Sequence, residues 1–174
     1  MYNFFPYFLA KSMVEVPLSL ICPLVTLLVV YWGAGFRQTG GEEFLQIYIV
    51  LVVLANCAIS MGLFCSAIAS SLPQASALSS LFTLPVILFG GLFANSSTIP
   101  PYLSWIQYIS PIRYANEAIC QAQWNGVNID TENFLSLLGF DIGYIKCTIV
   151  LAALAVFWRL AALVVLRLKI SKFQ

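Results

Sequence analysis

Four stretches of this 174-residue sequence, 18–36, 44–69, 75–94 and 147–166, are long and apolar enough to cross a hydrocarbon core as helices. A bilayer core is crossed by about 20 helical residues, and within it every backbone N–H and C=O must find its partner inside the protein. The four stretches therefore predict an all-α membrane protein. Composition agrees: 61% of residues are hydrophobic and 9% are charged, whereas a soluble domain carries roughly a quarter charged residues. A net charge of +1 offers no clustered basic surface for nucleic acid. The sequence contains no His, which removes Ser-His and Cys-His catalysis and the commonest metal ligand. Cys22, Cys57, Cys65 and Cys147 lie within or beside apolar runs, where a thiol packs as a small hydrophobe, and Cys120 stands in a polar segment. This spacing does not indicate a disulfide framework.

Between the stretches, Arg37-Gln38-Thr39-Gly40-Gly41-Glu42-Glu43 is charged and glycine-rich, and Ser70-Ser71-Leu72-Pro73-Gln74 is short and uncharged. Each reads as a tight hairpin joining neighbouring spans. The tail Arg167-Leu168-Lys169-Ile170-Ser171-Lys172 is basic with no acidic residue, so the positive-inside rule places it in the cytoplasm. Counting back over four spans puts both termini inside and the segment 95–146 outside. That segment carries Glu117, Asp130, Glu132 and Asp141 against Arg113 and Lys146. The opening Met1-Tyr2-Asn3-Phe4-Phe5-Pro6 does not fit a secretory leader. Lys11 and Glu15, spaced i,i+4, can pair on an amphipathic turn at the inner surface or stand as a solvated helix entry.

The third stretch opens at Gly90-Gly91 near its end, breaks at Pro100-Pro101, and restarts as an aromatic amphipathic segment too polar to cross the bilayer a second time. This pattern predicts an external re-entrant helix. Tyr102, Trp105, Tyr108 and Tyr114 supply rings suited to the membrane interface, and Arg113 and Glu117 are i,i+4 neighbours. Asn95-Ser96-Ser97 matches a glycosylation acceptor but follows a span directly, so it is expected to be unused. Within the third stretch Ala77, Ser80, Leu84, Ile87 and Gly91 share one helix face. Small side chains there leave room for close helix packing, the commoner reading, or for a ligand. Pro85 frees a backbone carbonyl and makes this stretch a candidate hinge. Asn56 and Ser60, one turn apart, require polar partners in lipid, either a neighbouring helix or a substrate. Arg159 lies near enough to the inner boundary to snorkel toward headgroups, a lipid anchor rather than a gating charge.

A specific, ordered set of motifs carries a resemblance across nearly the whole sequence. It comprises Tyr7-Phe8-Leu9-Ala10-Lys11 with Glu15-Val16-Pro17, Phe89-Gly90-Gly91-Leu92-Phe93, Ile99-Pro100-Pro101-Tyr102-Leu103 with Trp105, Tyr108-Ile109-Ser110, Arg113-Tyr114-Ala115-Asn116-Glu117, and Arg159-Leu160-Ala161-Ala162 to Leu166-Arg167. Together these resemble the membrane half of G-subfamily ABC transporters, in particular the White-type branch that includes insect eye-pigment precursor transporters. Such half-transporters join an ATPase domain to six membrane helices of ABC-2 type and work as dimers. The resemblance implies that the four stretches correspond to the third through sixth helices, so the sequence reads as a C-terminal, partial transmembrane domain. It contains no Gly-x-x-x-x-Gly-Lys-Ser/Thr phosphate loop. No cofactor is therefore expected in this chain, and ATP and Mg are expected on a nucleotide-binding domain outside it.

By the same resemblance Ser80, Leu84 and Ile87 match positions lining a central substrate cavity, with Asn56 a further candidate. Leu92 and Phe93 match an apolar exit plug, and the segment bearing Tyr102, Trp105, Tyr108, Arg113 and Glu117 matches an external lid. The family often staples this outer loop with cysteines, but here the loop holds only Cys120 ahead of Cys147. The implied partners are membrane lipid, an identical or related half-transporter, and a hydrophobic small-molecule cargo of the pigment-precursor, sterol or xenobiotic class. The expected setting is the plasma membrane or an intracellular granule membrane. The alternative is a truncated, non-transporting fragment that dimerises with intact half-transporters and modulates them. An intramembrane enzyme lacks a credible catalytic pair.

Overall fold

A computed structural model describes residues 4–33, 35, 41–90, 108–124 and 142–171, and side chains among them from Ala10 to Lys169. Among the described residues five helices follow one another: α1 (Phe4–Gly33), α2 (Gly41–Ile68), α3 (Leu72–Leu88), α4 (Pro111–Trp124) and α5 (Tyr144–Ser171). Among the described residues there is no strand, so the chain is all-helical as its apolar stretches predict. Ala10–Gly33, Gly41–Ile68 and Tyr144–Lys169 are each long and apolar enough to cross a membrane. The third predicted span appears as the 17-residue α3, and its predicted end at 94 lies past Gly90, outside the described residues.

Helix boundaries follow local chemistry. α1 starts well before residue 18 and carries Pro17 and Pro23 inside it, which membrane helices tolerate because neighbouring groups satisfy the freed carbonyls. α2 opens with Glu42 and Glu43 in its first turn, where negative charge suits the positive end of the helix dipole. α3 is entered through extended Ser71 with proline in its first turn, a ring that presets helical φ and lacks an N–H that would go unused there. The Ser70 amide donates to Gln74 Oε1 at 3.0 Å and closes the tight turn before α3. Gly143, at φ +89°, takes a conformation that L side chains rarely adopt and feeds α5.

α2 is the central helix: α5, α4, α1 and α3 all pack on it. Toward one end, Val50, Tyr114, Ala115, Ala118, Cys147 and Leu151 form a core between α2, α4 and α5. Leu27, Tyr31, Ile47 and Ala122 extend it to α1. Deeper along α2 and α5, Cys57 packs with Ala155 and Trp158, and the Trp158 ring meets Phe64 edge-on at 5.1 Å. Ala115, Ala118 and Ala122 fall at helical spacing on α4, and such small residues let backbones approach closely. The outer surface of α1 is the reverse: Val14, Ile21, Val29 and Trp32 are open, the last 76% exposed. Lipid is as apolar as these side chains, so burial alone does not drive such helices together. Close packing and polar bonds between helices carry that task.

At the predicted inner end, Lys169 Nζ donates to the carbonyls of Ala67, Ile68 and Ala69 at 3.2, 3.4 and 2.5 Å. A cation on the last carbonyls of α2 satisfies acceptors that have no intrahelical donor and complements the helix dipole.

Candidate functional site

Polar side chains converge from three apolar helices. Asn56 and Ser60 of α2 are one turn apart, and both face Arg159 of α5. Arg159 Nε donates to Ser60 Oγ at 3.2 Å and Nη2 donates to Asn56 Oδ1 at 3.1 Å. Asn56 Nδ2 donates to Ser19 Oγ of α1 at 3.3 Å and to the Val52 carbonyl at 3.0 Å. The two serines pass their protons to their own helices, Ser60 to the Asn56 carbonyl at 2.6 Å and Ser19 to the Val16 carbonyl at 2.8 Å. Each member thus has partners, as burial in a low-dielectric interior requires. Arg159 does not snorkel to headgroups as its position predicts, because neutral oxygens within reach on α2 accept its N–H groups. Of the two readings open for Lys11 and Glu15, the ion pair does not form among the described residues, and Glu15 Oε2 is buried there without a hydrogen-bond partner.

A second group of polar bonds ties α3 to α4. Ser110 Oγ donates to the Val86 carbonyl at 2.8 Å, and Asn116 Nδ2 donates to the Gly90 carbonyl at 3.0 Å. α4 thereby caps carbonyls at the C-terminal end of α3. Gly90 is required there: a Cβ on it would lie 2.6 Å from Ile112 Cγ2 and 3.1 Å from the Val86 carbonyl oxygen. Pro85, inside α3, accepts the Phe89 amide at 3.0 Å, and Ile87 accepts that of Gly90 at 3.2 Å. These bonds brace the C-terminal end of α3 against α4.

Of the predicted lid residues, Tyr108 is 61% exposed, whereas Arg113 and Glu117 are buried. The Arg113 guanidinium sits 5.4 Å from the Tyr108 ring centroid. Glu117 Oε1 accepts the Ile142 amide at 2.6 Å and Gln121 Nε2 at 3.5 Å, joining α4 to the entry of α5. Tyr114 donates its hydroxyl to the Tyr108 carbonyl at 3.1 Å. Burial pushes the Tyr114 phenol above its ordinary pKa against the opposing pull of Arg113. Burial, with the Glu117 charge adding to it, likewise raises the Cys120 thiol. Tyr102, Trp105, Leu92 and Phe93 lie outside the described residues.

The predicted cavity stripe divides the surface of α3. Ser80, Leu84 and Ile87 are exposed, and α3 has no buried residue at all. Its opposite face, with Ser79, Phe82, Thr83 and Val86, turns toward α2. Asn56 does not join this stripe, since its side chain is engaged with α1 and α5. All five cysteines are free, and among the described residues no cluster of Cys, Asp or Glu is grouped to hold a metal. Sequence reasoning missed Ser19, Ser110, Asn116 and Lys169 as partners. For Ser19 a signal existed, a hydroxyl in an apolar run like that of Ser60, whereas bonds to distant carbonyls leave no sequence pattern.

Three helices long and apolar enough to cross a membrane, bound through a shared polar cluster, with a fourth, shorter apolar helix braced by α4, define an α-helical membrane protein. Beyond that class, the chain belongs to the ABC-2 type transporter family, whose profile matches residues 1–124, from α1 through α4. It is 38% identical over 121 residues to Protein white of Drosophila melanogaster, covering 70% of this chain and 18% of that protein. It is 29% identical over 130 residues to the ABC transporter ATP-binding protein/permease wht-1 of Caenorhabditis elegans, covering 75% of this chain and 19% of the relative. It is 32% identical over 137 residues to ABC transporter G family member 22 of Arabidopsis thaliana, covering 75% and 18%. The chain therefore spans under a fifth of the length of these curated relatives.

Proposed function

We propose that this chain forms part of the membrane pathway of an ATP-driven exporter of lipophilic or aromatic small molecules, of the pigment-precursor, sterol or xenobiotic class. The observation that carries the reading is the open Ser80-Leu84-Ile87 face of α3, which has no packing partner among the described residues while the opposite face turns toward α2. Two such faces across a dimer axis enclose an apolar passage with a few hydroxyls, which selects by shape and hydrophobicity. A second half-transporter, identical or related, supplies the other wall. Leu92 and Phe93 close the passage outward, and the segment from Tyr102 through Glu117 covers the exit. ATP and Mg act on a nucleotide-binding domain outside this sequence, and both termini of the chain face the cytoplasm. The relatives support this reading by type, one being an ATP-binding protein/permease and another an ABC transporter G family member.

The test places Leu84→Gln and Ile87→Gln in the chain assembled with its ATP-binding part in proteoliposomes and measures ATP turnover stimulated by a panel of hydrophobic dyes. Stimulation is expected to fall and dye preference to shift. Turnover and selectivity unchanged in both variants would overturn the cavity assignment.

A further inference from the structure

The cavity between α2 and α3 lies on the face of α3 away from the exposed stripe. Its volume is about 220 Å³, and Pro111 and Ile112 of α4 close one end. Met61, Gly62 and Cys65 form the α2 wall and are apolar or weakly polar. The α3 wall differs, because Ser79 and Thr83, four residues apart, place two hydroxyls on the same face. Two other serines of α3 turn their protons back into the helix, Ser76 to the Pro73 carbonyl at 2.9 Å and Ser80 to the Ser76 carbonyl at 3.1 Å. The side-chain hydroxyls of Ser79, half-buried, and Thr83, exposed, have no hydrogen-bond partner among the described residues. A hydroxyl beside lipid normally takes the back-bond its neighbours take, so this pair stands ready for an outside partner. Opposite them, a Cβ built on Gly62 would meet nothing within 4 Å, so the recess reaches the α2 backbone.

We propose that this cavity binds a small, largely apolar molecule bearing one hydroxyl, of the size of an alkylphenol. Its hydroxyl bonds to Ser79 and Thr83, and its ring lies against Met61 and Gly62. Size sets the class: an apolar cavity of about 150 Å³ admits benzene, so 220 Å³ leaves room for a ring with short substituents. Sites for drug-sized ligands run to about 300–1,000 Å³, so the space between α2 and α3 suits a smaller molecule. The lone pairs and protons of two adjacent hydroxyls favour a ligand hydroxyl over a plain hydrocarbon, which would leave both unpaired. The site is distinct from the cargo stripe. Because Ile112 lines it and also abuts Gly90, its occupancy bears on the α3–α4 junction.

The experiment uses the full chain in phosphatidylcholine vesicles with a diazirine-bearing alkylphenol, read by peptide-resolved mass spectrometry. Saturable labelling is expected in the α2 and α3 segments around Met61, Cys65, Ser79 and Thr83, competed by the non-photoreactive alkylphenol. Gly62→Leu, which fills the recess, is expected to abolish it. Ser79→Ala with Thr83→Val, a mild pair of changes that leaves the bundle packing in place, is expected to weaken competition about tenfold, the equivalent of one net hydrogen bond. Non-saturable labelling spread over lipid-facing positions, which is the signature of an acyl chain in the groove, overturns the proposal. So does equal competition by the alkylbenzene lacking the hydroxyl, or labelling unchanged in both variants. None of these readouts depends on transport, so the result separates this site from the exporter reading.

Discussion

Arg159 on α5 and Asn56 on α2 are joined by a hydrogen bond of 3.1 Å between Nη2 and Oδ1, and the same guanidinium reaches Ser60 one turn along at 3.2 Å. Two contacts from one planar group fix the rotation and the axial register of α5 against α2 together. A double-mutant cycle of Asn56→Leu and Arg159→Leu, followed by unfolding in mixed micelles, is expected to give a coupling of about 1–2 kcal/mol. That exceeds the average of about 0.6 kcal/mol for interhelical bonds in membranes, because one partner here is charged. Strict additivity of the two changes would show that the pair does not contribute as a unit.

Gly90 and Ile112 are in contact that leaves no room for a side chain. Gly90→Ala is expected to destabilise the chain by about 1–3 kcal/mol, the usual range for overpacking. Ile112→Ala in the same chain is expected to restore part of that loss by removing Cγ2. Thermal aggregation in detergent measures both, and an absence of rescue would place the strain at the Val86 carbonyl rather than at Ile112.

Ser110 and Asn116 cap carbonyls at the end of α3. Ser110→Ala and Asn116→Ala are each expected to cost about 1 kcal/mol, the net value of a typical hydrogen bond. Hydrogen exchange at the Phe89 and Gly90 amides should quicken in both variants, since the last turn of α3 then frays more readily. Exchange that stays at the level of the parent chain would mean that the Pro85 and Ile87 acceptors suffice.

The Cys120 thiol lies above its ordinary pKa, through burial first and the Glu117 charge second. The protonated form therefore persists to higher pH than in a free thiol, and alkylation, which needs the thiolate, is expected to be slow at neutral pH and to accelerate only in the alkaline range. Glu117→Gln removes the repelling charge and shifts the rise toward lower pH, while burial keeps it above that of a free thiol. Peptide-resolved alkylation rates across pH provide the measurement. A profile that moves the other way in Glu117→Gln would contradict the electrostatic cause.

Much of the fold was legible in the sequence because bilayer thickness and backbone hydrogen bonding act on composition alone. Runs near 20 apolar residues had to become helices, and the charged or proline-bearing linkers had to interrupt them. An aromatic amphipathic helix after Pro100-Pro101 was also legible, and α4, from Pro111 to Trp124, is its described part. The start of the first helix was not, because Lys11, Glu15 and Pro17 suggest an entry segment, yet α1 runs unbroken from Phe4.

The candidate site was legible only in its residue types. Asn56 and Ser60 had to find polar partners, since an unpaired amide in an apolar medium costs about 2–7 kcal/mol. Sequence spacing cannot name partners on other helices, and only the packed bundle brought Ser19 and Arg159 to them and turned Arg159 inward. The same holds for Arg113 and Glu117, whose spacing marks them as neighbours while burial against α5 depends on where the alanine face of α4 docks. The sequence by itself determined that this chain crosses a membrane as helices and which polar groups needed satisfaction there. Tertiary structure decided which groups met, because in lipid the contacts between helices are set by close packing and hydrogen-bond geometry, both properties of the assembled bundle rather than of any one segment.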